Sequence, residues 1–272
     1  MSGVGQAFDR GREQDRALLV GYLPAGFPSV SGAIEAIIAM VEAGVDLVEV
    51  GLPYSDPVID GPTIQAASDR ALRAGVRIAD VMATVRAVAA TGVPALVMSY
   101  WAPVDRYGVD RFAGELADAG GAGLITPDLI PDEADRWLAA SDANGLDRVF
   151  LVSPSSTDAR IAATAAACRG FVYATSVMGV TGARAVTSSA APGLVARVRA
   201  ASDVPVGVGL GVSNGHQAAA VAEFADAVIV GSALVRRLLD ADSVTAGVRG
   251  VAELTGELAA GVRNATRPVA AR

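Results

Sequence analysis

Residues 48–65 read VEVGLPYSDPVIDGPTIQ. The stretch opens on an apolar run that looks like the end of a buried strand, passes through a loop stiffened by Pro53 and Pro57, and leads into a helical pattern over 62–74. This is one β/α unit. Glu49 interrupts the apolar run between Val48 and Val50, and Asp60 stands at the far end of the braced loop, before Gly61 and Pro62. A carboxyl pinned on a strand among apolar neighbours is expected to resist ionisation, because burial disfavours the charged form. Such a group can act first as acid and then as base. The plain alternatives are a buried glutamate paired with an arginine, and an ordinary turn aspartate before glycine. Asp56, in Ser-Asp-Pro, reads as a turn former or surface contact.

The same unit repeats along the chain. Candidate strands are 17–22, 47–51, 95–100, 123–126, 148–152, 171–175, 205–209 and 227–230. They are nearly all apolar and do not alternate, which suits parallel strands covered on both faces. Helical patterns cover 31–43, 62–74, 78–90, 109–119, 131–144, 157–167, 191–200 and 215–224. Gly44, Gly75, Gly92, Gly120 and Gly145 follow helical stretches where a left-handed cap is expected. Eight such units with right-handed crossovers predict an α/β fold, a single-domain (β/α)8 barrel. An open doubly wound sheet is the alternative. An extra N-terminal helix and a short extra helix after the eighth strand are expected, and residues 262–272 read as a loose tail.

The 272 residues suit one such domain. Hydrophobic residues make up 52% and mean hydropathy is +0.42. No uncharged apolar run reaches the ~18 residues of a membrane span, and the N-terminus lacks a secretory apolar region, so a cytoplasmic protein is expected. A net charge of −7 argues against nucleic acid. One cysteine, Cys168, forms no intrachain disulfide and reads as a small buried residue. One histidine, His216, and one cysteine cannot build a zinc site of His or Cys ligands. No G-x-S-x-G elbow supports a Ser-His triad.

In a barrel, chemistry gathers at the C-terminal ends of the strands. Three stretches fall there. The first is 48–65. The second is ATSVMGVTGAR, 174–184, whose glycines and small polar residues suit a lid or an anion-binding backbone, or an ordinary flexible connection. The third is GVGLGVSNG, 207–215, together with VGSALVRRLL, 230–239. Loops seven and eight with a short helix form a recurrent phosphate site of barrels. The spacing of GVGLGV and its late position argue against a dinucleotide fingerprint.

Taken together, V-E-V-G-L-P-Y-S-D-P-V-I-D-G-P-T-I-Q, G-V-T-G and V-G-S-A resemble the tryptophan synthase α subunit family, from Phe8 to about Leu239. The resemblance implies cleavage of indole-3-glycerol phosphate to indole and glyceraldehyde 3-phosphate. It implies Glu49 and Asp60 as the catalytic acids and Gly182, Gly211, Gly231 and Ser232 as phosphate-binding positions. Tyr22 and Tyr100 would line the indole pocket, Tyr173 would lie beside the glycerol end, and Thr181 would be the lid residue that meets Asp60. No metal and no cofactor are implied in this chain. The implied partner is a pyridoxal-phosphate β subunit in an α2β2 assembly. The sequence departs from the common pattern at Ala102, at Val177-Met178 after Ser176, and at Tyr22, where phenylalanine is frequent. Other readings are a lyase that works without a partner, a sugar-phosphate isomerase or epimerase barrel, and a barrel that only binds and regulates a partner.

Overall fold

The computed structural model describes residues 3–175, 190–209 and 211–267. Eight parallel strands close into a barrel in sequence order, each paired with the next and the eighth with the first. The strands are β1 (Leu18–Pro24), β2 (Leu47–Gly51), β3 (Ala95–Met98), β4 (Gly123–Thr126), β5 (Asp147–Val152), β6 (Val172–Thr175), β7 (Val206–Gly209) and β8 (Ala227–Val230). Around them run α2 (Val30–Glu42), α3 (Pro62–Arg73), α4 (Ile78–Ala89), α5 (Trp101–Tyr107), α6 (Val109–Asp118), α7 (Asp135–Ala143), α8 (Asp158–Ala167), α9 (Ala191–Ala201) and α10 (Gly215–Ala222). The short α11 (Ser232–Leu239) follows β8, and α12 (Val244–Arg263) closes the ring. The closed sheet excludes the open doubly wound alternative.

Burial explains the unbroken apolar strands. Residues facing outward join the helix layer, and those facing inward fill the barrel. The inner cluster contains Leu18, Val20, Leu47, Leu96, Ile125, Val149, Phe171 and Ile229. The N-terminal helix α1 (Gly3–Glu13) adds Val4, Ala7 and Phe8 to the same cluster, with Phe8 packed on Phe171 at 5.7 Å between ring centroids. It therefore plugs one end of the barrel and leaves the other for chemistry. Two aspartates tie strand starts to neighbouring segments through ion pairs: Asp46 with Arg16, and Asp226 with both Arg199 and Arg267. Each of these aspartates also accepts a strand N–H, from Leu19 and Val206 respectively.

Three sequence expectations need correction. The stretch 101–108, to which the sequence assigned no helix, contains α5; Pro103 falls in its first turn, where a missing N–H costs nothing. The helix expected over 131–144 is a 3-10 turn, Pro131–Glu133, followed by α7, because the backbone at Ala134 leaves helical geometry (φ −97°, ψ 9°). The long α12 was not anticipated. It runs to Arg263, into the stretch read as a loose tail, and Arg267 beyond it pairs with Asp226 at 3.1 Å. Among the described residues no helix is long and apolar enough to cross a membrane.

Candidate active site

The open mouth of the barrel is built from strand ends that stand at matched heights. Tyr22 on β1 is the register partner of Glu49 on β2. Glu49 is 1% exposed, and its Oε1 has no hydrogen-bond partner. No arginine pairs with it among the described residues. Desolvation alone pushes its carboxyl from an ordinary 4.5 to about 8. Glu49 is therefore a neutral acid at pH 7.

Asp60 sits in a different setting. Its loop leaves β2 at Gly51 and returns as α3, and several bonds fix it. The Tyr100 hydroxyl accepts the Ile59 N–H at 3.1 Å and hydrogen-bonds the Asp60 side chain. Gln65 Nε2 donates to the Asp60 carbonyl at 2.7 Å. Burial raises the Asp60 pKa, and the bond from Tyr100 pulls it back. Tyr54 packs against Tyr100 with ring centroids 5.3 Å apart. Asp56, by contrast, accepts from the neighbouring Ser55 hydroxyl in an exposed turn.

The tyrosines complete the lining. Tyr22 is buried and Tyr173 half-buried; desolvation and the nearby acids hold both hydroxyls protonated. Their rings lie on glycines. A Cβ at Gly51 would stand 2.3 Å from the Tyr22 hydroxyl, and one at Gly209 would stand 2.6 Å from that of Tyr173. Sequence reasoning gave Gly51 and Gly209 no role; their signal is a glycine at the end of an otherwise apolar strand. It also gave none to Gln65, visible only as the close of the opening string.

Across the mouth, Gly209 and Ile229 are register partners, so Gly211 and Gly231 each follow two residues beyond the same rung. Gly211 has φ +69°. Gly231 precedes α11 with no side-chain cap, and the Leu234 N–H turns back onto the Gly231 carbonyl at 2.9 Å. The Ser232 and Ala233 N–H groups thus stand at a positive helix end. Gly182 and Thr181 lie outside the described residues, as do Ser176 and Val177-Met178. Ala102 lies on α5 and lines a groove of about 620 Å³ with Pro53, Asp56, Arg77 and Arg106, to one side of the mouth. Among the described residues no group of three His, Cys, Asp or Glu side chains could hold a metal ion.

A closed parallel barrel with a buried acid on β2 and a tyrosine-bonded carboxyl on the loop that follows it has the architecture of a (β/α)8-barrel enzyme. Residues 8–263 match the family model described as tryptophan synthase alpha chain. The tryptophan synthase alpha chain of Salinispora tropica is 66% identical, covering 97% of this chain and 98% of that one. A solved tryptophan synthase from Mycobacterium tuberculosis superposes with a TM-score of 0.91 at 60% identity, over 96% of this chain and 98% of that one. The alpha subunit from Legionella pneumophila str. Paris gives 0.89 at 30% identity, over 97% and 99%. The chain belongs to the tryptophan synthase α chain family, and with it to the carbon–carbon lyases that cleave indole-3-glycerol phosphate in tryptophan biosynthesis.

Proposed function

We propose that Glu49 and Asp60 divide the proton work of this cleavage between them. Glu49, neutral at pH 7, donates its proton to C3 of the indole ring. The ring becomes an indoleninium that accepts the electrons of the breaking bond. Asp60 stays ionised and stabilises the positive charge at N1–H. The Glu49 carboxylate then takes the proton of the glycerol hydroxyl; the carbon–carbon bond breaks as in a retro-aldol, releasing indole and the aldehyde. Glu49 has given one proton and taken one, so it ends the turnover as it began. The observation that carries this reading is the contrast in setting: an unpartnered, sealed carboxyl on β2 and a hydrogen-bonded one on the loop.

The phosphate is held by the backbone at Gly211, Gly231 and Ser232, with Gly182 from the stretch beyond β6. The supporting features are the positive end of α11 and the matched heights of the two loops. Binding there orients the substrate far from the reacting bond. Tyr22, Tyr100 and Tyr173 line the indole and glycerol portions, and Thr181 meets Asp60 on closure. The partner is a β subunit carrying pyridoxal phosphate in a cytoplasmic α2β2 assembly; this chain needs no cofactor of its own.

Indole release from indole-3-glycerol phosphate, with a β subunit titrated in, tests both parts. Glu49→Gln and Asp60→Asn should each remove activity and still fold. Near wild-type turnover in either would overturn the assignment. Full activity of the isolated chain, unchanged by the β subunit, would overturn the partnership.

A further inference from the structure

We propose that Asp128 is a positioning residue for this reaction: its carboxylate holds the peptide that follows Tyr100, and so aims the Tyr100 hydroxyl at the loop bearing Asp60. This rests on the reading of Asp60 given above. The residue before a helix normally lends a side-chain oxygen to the first free N–H groups, and serine, threonine, aspartate and asparagine serve best. Before α5 that place is held by Tyr100, whose backbone is extended (φ −61°, ψ 155°) and whose side chain makes no cap bond. Its hydroxyl is engaged elsewhere, with the Ile59 N–H at 3.1 Å and the Asp60 side chain.

The missing acceptor comes from the next β/α loop. Asp128, two residues past the end of β4, accepts the Trp101 N–H through Oδ1 at 2.9 Å. A carboxylate there also meets the positive end of α5. The carbonyl of the same peptide, on Tyr100, accepts the Ser99 hydroxyl at 2.8 Å. One residue earlier, the Ser99 N–H bonds the Ile125 carbonyl at 3.1 Å. β4 and its loop therefore grip the chain on both sides of Tyr100, at Ile125 before it and at Asp128 after it. The Tyr100 ring is buried and rests on Tyr54. Only two torsions separate a tyrosine Cα from its ring, so a fixed backbone and a packed ring together set where the hydroxyl stands. Asp128 bonds the backbone of Trp101 and acts on Asp60 through Tyr100.

The experiment is a double-mutant cycle on the full chain, with kcat and KM for indole release as its readouts. Asp128→Ala removes the acceptor; Asp128→Asn keeps an oxygen in its place. Asp128→Ala should lower kcat about three- to tenfold with KM changed less, and Asp128→Asn should retain most of the wild-type rate. In a Tyr100→Phe background there is no hydroxyl to aim, so Asp128→Ala should cost nothing further. A cap that served the fold alone would cost the same in both backgrounds. Equal cost in the two, a wild-type kcat in Asp128→Ala, or a change confined to KM would overturn the proposal. Ser99→Ala opens the other end of the same peptide and should show the same dependence on Tyr100; it carries the test if Asp128→Ala does not fold. Asp60→Asn, measured alongside, separates the two layers. If it is active, the reading of Asp60 fails; if it is inactive while the costs of Asp128→Ala and Tyr100→Phe add, only the role of Asp128 fails.

Discussion

The Tyr100 hydroxyl holds the Ile59 N–H at 3.1 Å, so a residue beyond β3 fixes the backbone one position before Asp60. The same hydroxyl bonds the Asp60 side chain. One side chain positions both the backbone and the carboxyl.

Tyr100→Phe should uncouple the two. The Ile59 N–H loses its acceptor, and the Asp60 carboxylate loses a donor. A bond to a charged group is worth ~1.5–3 kcal/mol, so kcat/KM for indole release should drop by about 10- to 100-fold. Stability should fall by only ~1 kcal/mol, since the ring and its packing on Tyr54 remain. Steady-state kinetics and a chemical denaturation curve measure the two effects separately. A loss of stability larger than the loss of activity would argue that Tyr100 serves the fold more than the site.

Glu49 carries a stability cost that depends on pH. In the unfolded chain it ionises around its ordinary 4.5; in the fold it stays protonated to about 8. Below 4.5 both states hold the proton and the cost vanishes. As pH rises through this window the unfolded state sheds the proton first, and the folded state loses stability relative to it. Above about 8 the cost is complete. Glu49→Gln removes it, so the variant should gain on wild type from pH 5 upward and level off above 8. At ~1.4 kcal/mol per pH unit of window, the gain reaches several kcal/mol. Urea unfolding midpoints at pH 4, 6 and 8 measure it; parallel curves for the two proteins would mean that Glu49 ionises normally.

Much of this architecture was legible from the chain, for a physical reason. Strands at 47–51, 123–126 and 227–230 coincide with the observed β2, β4 and β8 because each is an apolar run buried on both faces and bounded by glycine or polar residues. The carboxyls of Glu49 and Asp60 were conspicuous because each breaks its local pattern. The anchoring of Asp60 was not legible. It depends on a backbone N–H reaching a tyrosine 41 positions on, and no local pattern encodes that. The close packing of Tyr22 on Gly51 was hidden likewise, because register between neighbouring strands decides it. The helix α12 was missed because Gly247, Gly250, Gly256 and Gly261 lower its intrinsic propensity.

Gly51→Ala should test the room left for Tyr22. The new methyl would stand 2.3 Å from the hydroxyl and 2.6 Å from the ring carbon Cζ. A stiff ring wedged on its other flank against Gly231 has little freedom to yield. The ring should tilt and carry its hydroxyl away from the acids. Activity should fall at least tenfold, with a stability loss of ~1–3 kcal/mol from overpacking. Combining Gly51→Ala with Tyr22→Leu removes the ring that clashes. The double variant should regain stability over Gly51→Ala without regaining activity; melting curves and indole release distinguish the two.

The glycines of α12 offer a last test, in which two identical substitutions should act in opposite directions. Helix propensity alone favours alanine over glycine by ~1 kcal/mol at an interior helical position. At Gly256 nothing lies within 4 Å of the added Cβ. Gly256→Ala should therefore raise stability by up to that amount. At Gly261 the added Cβ would meet the Gly215 carbonyl oxygen at 2.1 Å, and at Gly215 it would meet the Glu257 carbonyl oxygen at 2.6 Å. The two helices α10 and α12 cross there backbone to backbone, so no side chain can move aside. Gly261→Ala must separate the helices, and it should lower the melting temperature by several degrees despite its better propensity, at the ~2–4 °C per kcal/mol of a domain near this size. Activity measured well below the transition should stay close to wild type in Gly256→Ala. If Gly261→Ala were as stable as Gly256→Ala, the tight crossing would not be what these glycines serve.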